Sequence, residues 1–229
     1  KASSGAINGT LQNCNTYASK PTKTIGKIGQ GLAFTVEDDS DDDYDNCVGL
    51  ASSIVTGTTY SVSMWMKPVY DSAGFLFGQG NNIGIKHGSA GRIIYRYSAV
   101  DHYSTNNLIL VGGWNHIVVA VNSGTATFYI NGVADGTAAS VVSMNAALIG
   151  GAGGQSSFYG RIDEVRTYDH ALSASEVTEL YNQGEKDLLK INIPQTDLIP
   201  QGLVGYWTFN GQDTNWGANT TDDRSGNNY

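Results

Sequence analysis

The sequence predicts an all-β fold in which two antiparallel sheets pack as a sandwich, with one short helix. Three observations carry this. Short runs rich in Val, Ile, Thr, Tyr and Phe recur between turn residues. Glycine is abundant at 29 residues, and charged side chains make up only 15% of the chain. Helical spacing occurs in one segment, next to a capping signature. A chain of 229 residues with 40% hydrophobic content can bury a real core as a single unit.

In chain order, a Gly/Ser/Thr-rich opening leads to Leu32-Ala-Phe-Thr-Val36, a predicted strand that runs into the acidic Glu37–Asp45. Tyr60–Met66 alternates, which places Val62, Met64 and Met66 on one face and Ser61, Ser63 and Trp65 on the other. Pro68 ends it. Gly74–Phe77, Asn82–Ile85 and Arg92–Tyr97 are further short strands. Trp114–Val121 and Ala126–Ile130 are joined at Asn122-Ser-Gly124, and Asn131-Gly132 supplies the two positive-φ positions of a type I′ turn. Strands follow near Ala146–Ile149 and Phe158–Tyr168. Ser173-Ala-Ser-Glu176 is a capping box, Val177, Leu180 and Tyr181 form the apolar stripe of a helix, and Gly184 is its expected stop. Residues 184–201, with Pro194 and Pro200, read as an extended connector before strand character resumes at Leu203–Phe209.

The net charge of −8 and the lack of a basic run argue against nucleic acid as partner. No apolar run approaches the roughly 18 residues that cross a bilayer, and the first residues carry no targeting pattern. The chain starts at Lys1 without Met, as a processed or excised piece would. Cys14 and Cys47 are its only cysteines, so a structural disulfide is the leading expectation and a pair of unbonded buried thiols the alternative.

Gly29–Phe34, Asp42-Asp-Tyr44, Tyr60–Lys67, Trp114–Val118, Phe128–Gly132 and above all Gly160-Arg-Ile-Asp-Glu-Val-Arg-Thr-Tyr-Asp-His-Ala-Leu-Ser-Ala-Ser-Glu-Val177 resemble the laminin G-like, concanavalin A-like jelly-roll domains of bacterial and other extracellular proteins. The resemblance covers roughly residues 4 to 183, and its motifs stand in the family's order. It implies an extracellular or cell-surface module of adhesive or structural type rather than an enzyme. Gly202–Asn210 with Asp223-Arg-Ser-Gly-Asn227 is similar to the family's opening strand and turn, here behind the body. Three arrangements follow for residues 202–229. Leu203, Val204, Tyr206, Trp207 and Phe209 complete the sheet of the next copy head to tail, fold back on their own body, or begin a further repeat. The first builds an open filament of copies of this chain. The last makes the chain an excised repeat of a large adhesin.

The family resemblance makes Asp163 a ligand of a structural calcium, with main-chain oxygens near Asn210 and Gly29. Asp163 shares a face with Val165 by simple alternation, and the alternative role is a carboxylate capping turn amides. The acidic loop, with Asp42 and Asp43, is a weaker calcium candidate and fails the EF-hand pattern. Tyr95, Tyr97, His102 and Tyr103 are the candidate glycan cluster, aromatic faces beside planar polar groups. A carbohydrate-binding module is the alternative function. No catalytic constellation is evident: the four histidines are dispersed, and Arg161–Arg166 lacks the carboxylate set of the β-glucanases that share the fold.

Overall fold

A computed structural model describes residues 7–13, 20–35, 46–55, 57–79, 83–139, 144–151, 157–186 and 201–226. Cys14, the acidic loop with Asp42 and Asp43, and most of the connector lie outside the described residues. The strands are β1 (Gly9–Asn13), β2 (Thr22–Ile25), β3 (Gln30–Phe34), β4 (Asn46–Val55), β5 (Tyr60–Pro68), β6 (Gly74–Gln79), β7 (Ile83–Gly88), β8 (Arg92–Tyr97) and β9 (Val100–Tyr103). They continue with β10 (Asn115–Asn122), β11 (Thr125–Ile130), β12 (Val133–Ala138), β13 (Asn145–Ile149) and β14 (Gly160–Tyr168). After helix α1 (Ala174–Lys186) come β15 (Leu203–Trp207), β16 (Thr214–Asn215) and β17 (Thr220–Thr221).

Two antiparallel sheets result. Sheet A runs β16-β17-β1-β4-β13-β6-β7-β8-β9, and sheet B runs β12-β11-β10-β5-β14-β3-β2 with β15 also on β14. This is the concanavalin A-like jelly-roll sandwich that the sequence predicts. Val62, Met64 and Met66 of β5 enter the core as alternation requires, together with Leu32, Val119, Phe128 and Trp207 of sheet B and Leu11, Val48, Phe77, Ile85 and Tyr95 of sheet A. Asn131 (φ 51°) and Gly132 (φ 81°) make the tight reversal between β11 and β12.

Trp65, on the other face of β5, is covered by the helix: its ring stacks on Tyr181 with centroids 5.7 Å apart. The capping box is present, the Ser173 amide donating to Glu176 Oε2 at 2.8 Å and the Glu176 amide to Ser173 Oγ at 3.4 Å. Gly184 does not stop α1, which runs on to Lys186. A Cβ there would lie 2.4 Å from Trp65 Cζ2, so the glycine serves the close approach of helix to ring. The body therefore reaches beyond the expected boundary at 183. Trp114 is only partly buried and belongs to neither apolar cluster.

The second edge of β14 is shared end to end by two strands. Gly160–Ile162 pair with β3, and Val165–Tyr168 pair with β15 of the same chain. Of the three arrangements for the C-terminal strand, the structure describes the folded-back one. Between the two partners β14 bulges: Asp163 lies opposite Trp65 and Arg166 opposite Ser63, with one residue too many between them and Glu164 at φ 53°. The bulge breaks the simple alternation. Asp163 falls in register with outward-facing Trp65, while Val165 is in the core, so the two do not share a face.

Trp207 fills the core end of β15, fully buried, and its indole donates to the Ile7 carbonyl at 3.0 Å. On the opposite face Tyr206 donates to the Glu164 carboxylate, and Arg166 Nη2 donates to Glu164 Oε2 at 2.7 Å and to the Tyr206 hydroxyl at 2.9 Å. Burial raises the Tyr206 hydroxyl's pKa, against the lowering pull of Arg166. Asp223 closes the other edge of β15, accepting from the amides of Tyr206 and Ser225 at 2.9 Å each, while β17 pairs with β1. Both halves of the C-terminal segment are thus built into the sandwich.

Two substitutions test this. Trp207→Ala should cost about 3–5 kcal/mol in chemical denaturation, as large-to-small changes in a packed core do. Tyr206→Phe should cost about 1–3 kcal/mol by leaving buried Glu164 and Arg166 short of a partner, without altering the protein's fluorescence spectrum. A neutral Trp207→Ala would mean that the strand is not seated.

Candidate functional site

Asp163, Asn210 and Gly29 lie close together at the break in β14. The Asp163 carboxylate is fully buried. Its Oδ2 accepts from the Ile28 amide and its Oδ1 from the Glu164 amide, both at 2.9 Å. Asn210 Oδ1 accepts from the Gln30 amide at 2.8 Å, and a Cβ on Gly29 (φ 66°) would lie 2.3 Å from that oxygen. A Cβ on Gly26 would lie 2.4 Å from Asp163 Oδ2, so both glycines make room for the two side chains. These contacts are the turn-capping role for Asp163. Asp163 has no ion-pair partner among the described residues; burial, then the neighbouring Glu164 carboxylate, raise its pKa well above the usual range. Among the described residues no group of three His, Cys, Asp or Glu side chains gathers as a metal cluster would.

The candidate glycan cluster is divided by the pleat of sheet A. Tyr95 is fully buried in the core and its hydroxyl bonds that of Tyr60 at 2.7 Å, so it cannot face a sugar. Burial pushes its pKa up to about 12. Tyr97 packs partly buried against the same core, and His102, opposite Tyr95, is also partly buried. Tyr103 pairs with Ile94 on the opposite face and is 48% exposed. It alone of the four faces outward. Alternation along Arg92–Tyr97 carried the signal that Tyr95 and Tyr97 share a face; which face became clear only from the pairing.

The outer face of sheet A holds a row in strict register: Gly49 opposite Leu148, Leu148 opposite Gly78, Gly78 opposite Gly84, Gly84 opposite Arg96, and Arg96 opposite Asp101. Neighbouring side chains lie down where the glycines leave space. Gln12 covers Gly49, its Nε2 2.3 Å from where a Cβ would stand, and the Phe75 ring covers Gly84 with Cδ1 at 2.9 Å. Lys86 Nζ sits 5.1 Å from the centroid of that ring. Arg96 Nη1 donates to Asp101 Oδ1 at 2.9 Å, with both side chains partly exposed. Tyr103 borders this surface beyond Ile94. The corresponding face of sheet B is taken by α1, through Val177 and Leu180 against Val118 and Tyr168.

Cys47 is fully buried on β4. His116, beneath α1, has its pKa pushed down to about 3 by burial, then by Arg166 and Lys27, so it is a neutral packing group that bonds Ser63 Oγ at 2.9 Å. No helix among the described residues is long and apolar enough to cross a membrane.

Similarity to known proteins agrees with this architecture. Part of the adhesion G-protein coupled receptor V1 of Danio rerio is 26% identical over 172 residues, which is 66% of this chain and 3% of the receptor. The chain thus spans a very small part of that relative. Among solved structures, domain 4 of the extracellular arabinanase AbnA from Geobacillus stearothermophilus, in complex with arabinotriose, superposes with a TM-score of 0.59 at 24% identity, covering 76% of this chain and 86% of that one. A SAP-like pentraxin from Limulus polyphemus gives 0.56 at 19% identity (69% and 84% covered). A putative carbohydrate binding protein from Bacteroides ovatus gives 0.55 at 15% (90% and 59%). These likenesses are of fold. The model of the laminin G-like family matches residues 41–178, more than half of the chain, and on that match, with the sandwich it forms, the chain belongs to the concanavalin A-like lectin/glucanases superfamily.

Proposed function

We propose that this chain is an extracellular, non-enzymatic glycan-binding module of adhesive type, and that its ligand lies on the outer face of sheet A. The observation that carries the reading is the contrast between the two sheets. Sheet B spends its outer face on α1, whereas sheet A keeps there a register-aligned row of glycines bordered by Gln12, Arg96, Asp101 and exposed Tyr103. Planar polar groups beside an aromatic face suit sugar hydroxyls and CH surfaces. The shared fold of the arabinotriose-bound domain makes arabino-oligosaccharides a sensible member of the first glycan panel. Tyr103→Ala should weaken binding to any glycan the panel identifies by about tenfold, a loss of about 1.4 kcal/mol, with Tm unchanged. Binding indifferent to Tyr103 would move the site elsewhere.

The filament reading places Leu203, Val204, Tyr206, Trp207 and Phe209 in the next copy. Pairing of β15 with β14 of its own chain favours a closed monomer instead. Light scattering across protein concentration separates the two.

Calcium fits the Asp163 turn in chemistry: a buried carboxylate without a cationic partner among the described residues, the Asn210 amide oxygen and the carbonyls of the 26–29 turn are hard oxygen donors. Bound there, the ion would neutralise a buried charge. Asp163's pKa is raised by folding, so its contribution to stability is fully present below the unfolded carboxylate pKa and lost as pH rises through the folded one. In chelator, Tm should therefore fall as pH rises from about 4, and calcium should restore it, so that the gap between the two melting curves widens with pH. Superimposable curves would remove calcium from the account. A Cys14–Cys47 bridge belongs to the same proposal and is read from the intact mass before and after reduction.

A further inference from the structure

We propose that the outer face of sheet A selects carboxylated sugars, polyuronates in particular. The inference rests on the glycan reading above and assigns the charge of its ligand. Across the strands of sheet A, the only Lys, Arg, Asp or Glu side chains are Lys86, Arg92, Arg96 and Asp101. All four fall on the outer face. Lys86 is opposite Ile94, Arg92 opposite Gly88, and Arg96 opposite Asp101, whereas Ile85, Ile93 and Tyr95 take the core positions between them. The strands thus carry three cations against one carboxylate, with Asp71 bound to the amides of Ala90 and Gly91 at the β7–β8 turn, in a chain whose net charge is −8. The rest of the molecule is correspondingly more acidic, so the surface is a local exception rather than part of a general basic character.

The three cations are not equivalent. Arg96 is held by Asp101, and Arg92 Nε donates to Asn107 Oδ1 at 2.9 Å. Lys86 forms no ion pair among the described residues, and it is only 7% exposed. Its ammonium lies over the Phe75 ring, which itself lies over Gly84. An ammonium so placed is poorly solvated, and its pKa is lowered, first by burial and also by Arg96, against the raising pull of Asp101, the carboxylate that Arg96 holds. A ligand carboxylate would add to the one counter-charge, Asp101, that Lys86 and Arg96 share, at a point where the surroundings give a charge-assisted hydrogen bond more strength than water would. Arg96, with its planar fork, stands beside it as a second donor, and Tyr103 offers a ring for the sugar face. A neutral sugar covers the Tyr103 ring but leaves Lys86 as it was.

The experiment compares polygalacturonate, the same polymer fully methyl-esterified, and neutral linear arabinan by titration calorimetry on the intact chain. Polygalacturonate should bind, esterification should weaken it by about tenfold or more, and Lys86→Met and Arg96→Gln should each do the same with Tm retained. Raising the salt should weaken the acidic polymer more than arabinan. Equal affinity for the acid and its ester would overturn the proposal, and so would binding of arabinan alone, which leaves the glycan reading intact. Failure of all three polymers to bind would overturn the charge assignment and count against the glycan reading as well. Should either variant fail to fold, the comparison of acid with ester on the unaltered chain decides.

Discussion

The rest of the molecule depends on the divided edge of β14. One strand cannot be hydrogen-bonded along a single edge by two partners unless something manages the gap between them. Here β3 ends and β15 begins across Asp163 and Glu164. The bulge lets the chain gain one residue, and the two carboxylates do different things with it. Asp163 turns towards the amides of the 26–29 turn that leads into β3, and Glu164 towards Arg166 and the Tyr206 hydroxyl of β15. Each acid thus fixes one of the partners. A buried ion pair of this kind adds little net stability over an apolar pair, but removing one member leaves an uncompensated charge, so it specifies which strand fits.

Consequences spread from that junction to both sheets. Seating β15 brings Trp207 into the core and sets the C-terminal segment against Ile7 and β1. Ile7 and β1 are therefore neighbours in space of β15 and β17. The C-terminal segment lies between β14, which pairs with β15, and β1, which pairs with β17. Sheet B is closed on one side by β15 and on its outer face by α1, whereas the outer face of sheet A carries the row of glycines with Arg96, Asp101 and exposed Tyr103.

Much of this was legible in the sequence, and the failures have a common cause. Local signals were read correctly: the alternation of Tyr60–Met66, the positive-φ pair Asn131-Gly132 and the Ser173–Glu176 cap each depend on residues close in the chain. Errors came where a distant partner decides. Alternation put Asp163 beside Val165 because nothing local announces a bulge forced by two strands competing for one edge. Gly184 looked like a helix stop, whereas Trp65, far away in sequence, is what requires a glycine there. Alternation along Arg92–Tyr97 puts Tyr95 and Tyr97 on one face, but only the pairing of β8 with β7 and β9 shows that the face is the inner one. The row of Gly49, Gly78 and Gly84 was invisible for the same reason, since its members become neighbours only through β13 and the β6–β7 pairing.

The central claim is that the C-terminal strand is an integral part of its own sandwich. Amide hydrogen exchange read by mass spectrometry over Leu203–Trp207 tests it most directly. The account predicts slow exchange there, comparable with β5 and β14 and independent of protein concentration. Rapid exchange would contradict it by leaving the strand unseated, and protection that grows with concentration would contradict it by giving the strand to a neighbouring molecule.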